Sequence, residues 1–138
     1  MAKRESTPSV AAFEERAREF LKTQRRILSD FERSLKNARH FIELAGRSLE
    51  QEPEDTIQMM EQIREIDLLR HVSHHFEEFE AVIAMLPPAL VQGDPTLPDT
   101  APQAEMKSMR TRYETLVHEA ESQAADMERI LSALQQPH

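Results

Sequence analysis

The chain has 138 residues, no cysteine, no tryptophan and two glycines, with 39% apolar residues, 30% charged residues and a net charge of −8. That length fits one domain, and the missing cysteines exclude a disulfide framework and a thiolate metal site. Abundant Glu, Gln, Arg, Leu, Ala and Met, with no β-branched runs, point to an all-α protein.

Residues 1–7 read as a disordered polar tail that lacks the apolar core of a signal peptide. Thr7-Pro8 marks a helix start, because threonine can cap the free N–H groups and proline at the first helical position loses no hydrogen bond. The stretch that follows organises the chain. Val10, Phe13, Ala17, Phe20, Ile27, Phe31, Ala38, Phe41 and Ala45 recur three and four apart, and Leu21, Leu28, Leu35, Ile42 and Leu49 form a second row at every seventh position. Two adjoining rows make an apolar face wide enough for two neighbouring helices. A helix over about 8–50 is expected, with Gly46 tolerated inside it at roughly 1 kcal/mol.

The acidic connection 50–55 contains Pro53, Glu54 and Asp55, which suit the first turn of a second helix, where negative charge meets the positive dipole end. This helix is expected over about 53–86, stopped by Pro87-Pro88. Its second half carries a regular stripe of Leu69, Val72, Phe76, Phe79, Ile83 and Leu86. Met59, Ile63 and Ile66 lie more than about 90° round the cylinder from that stripe at 100° per residue, so the helix must kink, rewind or present a second face at 66–69. Residues 87–100 are a proline-rich loop, with Leu90, Val91 and Leu97 as a conceivable docking segment. Thr100 and Gln103 fit a capping box, and a third helix follows over about 101–135 with core positions Met106, Met109, Tyr113, Leu116, Ala120, Met127, Ile130 and Leu134, interrupted at Gln123.

The resulting expectation is an elongated antiparallel three-helix bundle, up-down-up, in a single domain over 8–136, with coiled-coil-like packing and a long first helix. The extra turns of that helix are expected to overhang at its end, around Phe41, Leu44 and Leu49. Charge is unevenly divided: 11 Lys/Arg against 7 Asp/Glu over 1–49, 2 against 13 over 50–105, and 4 against 5 over 106–138. A basic first helix and an acidic second one would pair favourably, at about 0–1 kcal/mol for each exposed contact.

Chemistry-bearing patterns are few. His71, His75 and Glu78 have the helical spacing of metal ligands, yet His74 projects opposite the stripe, His71 well to its side, and only His75 borders the core. No metal or other cofactor is therefore expected, although a metal-binding bundle using His71, His75 and Glu78 is one alternative reading. Arg25, Arg26, Arg33 and Arg39 offer a basic face to nucleic acid or anionic lipid, the other alternative, which the acidic total disfavours. No nucleophile turn or phosphate loop is present, and an enzyme is not expected. No window nears the roughly 18 apolar residues of a membrane span, and the expected location is the cytoplasm, with the nucleus second. The functional expectation is a protein–protein interaction module, an adaptor or structural subunit, that forms a homo-oligomer or hetero-complex by helix packing through Met59, Ile63, Ile66, Phe41, Leu44 and Leu49.

Overall fold

A computed structural model describes residues 8–47, 53–86 and 101–135. The chain is all-α. Its described helices are α1 (Pro8–Arg47), α2 (Pro53–Ile66), α3 (Leu68–Met85) and α4 (Ala101–Gln135), packed as a helical bundle in which α2 and α3 are joined end to end. Thr7, Leu49, the proline-rich loop and Thr100 lie outside the described residues. Gly46 is helical, the next-to-last residue of α1, in a position where a Cβ would meet nothing within 4 Å.

Ion pairs fix the relation of α1 to α4. Arg25 binds Glu105, Arg112 binds Glu32 through two contacts of 3.0 and 2.6 Å, and Arg39 binds Glu119 at 3.0 Å and Asp126 at 2.5 Å. Positions 25, 32 and 39 ascend together with 105, 112 and 119, so the two helices run the same way. The sign alternates at each step. A slip of seven residues would set Arg25 against Arg112 and Glu32 against Glu119, so the ladder opposes the one displacement that would keep the apolar rows in contact. In the other direction, Phe20 stacks on Phe79 with ring centroids 5.8 Å apart and Phe31 meets His75 edge-on at 5.3 Å, so α3 runs opposite to α1.

These contacts correct the expected pairing of a basic first helix with an acidic second one. The arginines of α1 that bond across helices reach carboxylates of α4, because the row 25, 32, 39 leaves α1 on the α4 side. The expected overhang is also corrected. Ile42 and Ala45, near the end of α1, are buried with Met60 of α2 and with Met127 and Leu131 of α4. The ladder sets the start of α4 well inside the start of α1.

The phase conflict within residues 53–86 is settled by one residue. Asp67 adopts a left-handed conformation (φ 54, ψ 59), ends α2 and caps α3, its carboxylate accepting the Arg70 N–H at 3.3 Å. Asp is among the few non-glycine residues that tolerate this region, and its side chain also caps. The break turns Met60 inward on α2 and Val72 inward on α3, each with no exposed surface. Two core clusters result: a larger one around Leu21, Leu28, Phe79 and Tyr113, and a smaller one around Ile42, Met60, Met127 and Leu131.

The core also holds polar groups that apolar periodicity passes over. Gln24 is buried and accepts a hydrogen bond from the Tyr113 hydroxyl. Gln123, which interrupted the apolar stripe, occupies a core position and donates from Nε2 to the Leu35 carbonyl at 2.7 Å and to Glu119 at 2.8 Å. Gln103 is likewise buried, and past Gln123 the core passes through Met127 and Leu131, leaving Ile130 and Leu134 half-buried. Among the described residues no buried side-chain polar atom is left unsatisfied.

Replacing Asp67 by Ala removes both the cap and the tolerance of positive φ, and is expected to lower the unfolding free energy by about 1–2 kcal/mol. Asp67→Asn, which keeps both, should be nearly neutral in the same denaturant titration. Burial, then the nearby Glu78 charge, raises the Tyr113 pKa to about 12, against a smaller lowering by Arg112. The unfolded chain therefore loses this proton first. Stability should be unaffected below about pH 10 and should fall as pH rises from 10 to 12. Tyr113 is the sole tyrosine in a chain without tryptophan, so its ultraviolet titration reads this directly.

Candidate partner-binding groove

Each helix pair of the bundle leaves an outer groove, and the three grooves are closed differently. That between α1 and α4 is roofed by the alternating ladder. That between α4 and α2–α3 is bridged by Arg64–Glu128 at 3.2 Å and Arg110–Glu80 at 2.9 Å. None of these pairs crosses from α1 to α2 or α3. There the half-buried Phe20 and Phe31 meet the rings of Phe79 and His75 instead.

The same contacts show which flank of each helix borders this third groove. On α2 and α3 the α4-facing flank is marked by Arg64 and Glu80, so at about 100° per residue Met59 and Ile66 on α2, and His75 and Val82 on α3, lie on the flank towards α1. On α1 the α4-facing flank is the row 25, 32, 39. Phe20, Ile27 and Phe41 occupy the other side, with Leu44 one step further out. Met85 projects from the far end of α3 to this side as well. Of the four large hydrophobic residues exposed among the described ones, Phe41 at 44%, Leu44 at 40% and Ile66 at 54% lie on this side near one end of the bundle, and Met85, at 82%, stands about 28 Å from Ile66 toward the other end.

Of the residues that the sequence singles out for a partner, Phe41, Leu44 and Ile66 are exposed along this groove. Met59 and Ile63 are half-buried and pack against the smaller core cluster, which gives them a share in holding the chain together. Leu49 lies outside the described residues. Met85 was not found by periodicity, since it follows the stripe residue Ile83 at a position that looks like ordinary helix surface. Along the upper groove the strip is uncharged: Ser34, Asn37, Phe41 and Leu44 on α1, and Met59, Gln62, Ile63 and Ile66 on α2. In a chain with 30% charged residues, such depletion is the compositional mark of an interface centre.

The other candidate groups are placed as follows. His74 bonds Glu78 at 2.8 Å, and His75 approaches the same carboxylate at 3.9 Å while its ring lies against Phe31. Among the described residues no group of three or more His, Cys, Asp or Glu is placed to hold a metal ion. Of the basic row, Arg25 and Arg39 are engaged with α4 carboxylates, and Arg33 pairs with Asp30 at 2.5 Å. The Arg25 guanidinium holds the Glu105 carboxyl below its ordinary pKa. Shallow hollows on the outer face of α4, one lined by Thr111, Glu114, Thr115 and His118, draw on that helix alone and bring no groups from different elements together. Among the described residues no helix is long and apolar enough to cross a membrane. Comparison with family models, curated proteins and solved structures gave no match.

If the exposed groove residues contribute little to folding, Phe41→Lys and Ile66→Lys should each change the unfolding free energy by no more than about 1 kcal/mol. Met60→Ala, in the adjoining core, should lower it by about 2–5 kcal/mol. Denaturant melts of the three variants compare these directly.

Proposed function

We propose that this protein is a non-enzymatic interaction module, an adaptor or structural subunit that binds another protein chain along the groove between α1 and α2–α3. The observation that carries the reading is the exposure of Phe41, Leu44 and Ile66 together, with Met85 further along, on the one side of the bundle not roofed by the ion pairs described above. A shallow apolar trough between two helices suits a helical occupant, which lays its own apolar stripe between the two walls. The basic face is poorly suited to nucleic acid, because two of its four arginines are already held by carboxylates of α4.

Site-specific photocrosslinking in the native cell tests this without knowledge of the partner. A crosslinker at position 41 or 66 is expected to give protein adducts, while one at His118, 92% exposed on the outer face of α4, gives none. Equal labelling from all three positions, or none from 41 and 66, would remove the groove as the binding surface.

A further inference from the structure

The charges beside the groove bear on what fills it. The outermost ridge of α1 carries Arg26, Arg33, His40 and Arg47, whereas the groove-side flank of α2–α3 carries Asp55 and Glu78. Arg26, Arg47 and Asp55 are exposed and take part in none of the ion pairs among the described residues, where Glu78 is approached by the histidines of its own helix. The α1 ridge begins at Glu19 and has Asp30 paired with Arg33 beside it, which leaves Arg26 and Arg47 as its unpaired charges, while the α2–α3 flank, where His71 and His75 lie beside Glu78, carries its carboxylates at Asp55 and Glu78. The two sets also match in level: the antiparallel alignment that brings Phe31 to His75 and gathers Ile42 with Met60 sets Arg47 level with Asp55 and Arg26 level with Glu78.

Resting on the groove as the partner site, we infer that its occupant is a second copy of this chain, related by a two-fold axis that runs along the bundle. That axis lays α1 of one copy against α2–α3 of the other. Arg47 then meets Asp55 of the second copy, Arg26 meets its Glu78, and the uncharged strips containing Phe41 and Ile66 face each other at the same height. Both contacts occur twice, as a two-fold interface requires. A two-fold axis across the bundle would instead face α1 with α1, opposing arginine with arginine and carboxylate with carboxylate, so charge selects between the two arrangements. The central strip carries no charge to repel its own copy, although the whole chain has a net charge of −8.

Sedimentation equilibrium on the full chain over a concentration series tests this with two charge-reversed variants, Asp55→Lys/Glu78→Lys and Arg26→Glu/Arg47→Glu. The unaltered chain is expected to show the dimer mass. Each variant alone is expected to show the monomer mass, because like charges then meet at all four contacts. An equimolar mixture is expected to return to the dimer mass, since each copy now supplies what the other lacks, and this recovery also shows that both variants are folded. A monomeric unaltered chain, variants that remain dimeric alone, or a mixture that stays monomeric would each overturn the inference. A monomeric chain with protein adducts from positions 41 and 66 would reject the second copy and leave the groove as a site for a different chain.

Discussion

The alternating ladder between α1 and α4 is the constraint on which the rest of the bundle depends. Exposed ion pairs contribute little free energy one at a time, but Arg25–Glu105, Glu32–Arg112 and Arg39–Glu119 recur at the seven-residue step of the apolar rows. Apolar rows alone would tolerate a slip by one repeat. The reversal of sign at each rung makes that slip repulsive. With the register held, the Tyr113 hydroxyl reaches Gln24 and the Gln123 amide reaches the Leu35 carbonyl. Those buried bonds act in the same sense, because a displaced helix would strand their partners in an apolar core. Stability comes from the packed side chains, and uniqueness from these polar contacts.

Against that pair of helices, α2–α3 docks through two different faces. Met60 and Val72 differ in phase by about 120° at 100° per residue, so no straight helix could bury both. Asp67 resolves the conflict in a single left-handed residue whose carboxylate also starts the next helix. The compromise is incomplete. Met60 is fully buried, while Ile66, the last helical residue before the break, is left 54% exposed. Local backbone chemistry at one aspartate thus determines both where the smaller core forms and which apolar residue remains outside it.

The proposed binding groove follows from the same distribution of contacts. Arginines of α1 are engaged with α4, and α4 also supplies the partners of Arg64 and Glu80. The side opposite α4 is left with aromatic contacts and an uncharged strip between charged flanks. The proposed self-association rests on the match of Arg26 and Arg47 on one side of that face with Glu78 and Asp55 on the other.

How much of this was legible beforehand depended on the kind of quantity involved. The all-α class, the wide apolar face of α1, the start near Pro53 and the conflict at 66–69 all follow from periodicity and local propensity, which one chain carries by itself. Leu44 and Ile66 were visible for the same reason, as apolar residues off their own stripes, whereas Phe41, a stripe residue, was singled out through the expected overhang at the end of α1. What was not legible was which neighbour each flank would meet. Net charge by segment paired α1 with α2, but the row 25, 32, 39 points to α4. Apolar patterning left Gln24 unnoticed and treated Gln123 as an interruption, though both are buried because a partner atom waits opposite them. Met85 looked like ordinary surface, and Met59 and Ile63 like a free face, until the turn at Asp67 set the direction of each half. Periodicity gives the direction in which a side chain leaves its own axis. Only the packed bundle decides what stands in that direction, because the axial offset and order of the helices arise from contacts between residues about 80 positions apart, which no local window contains.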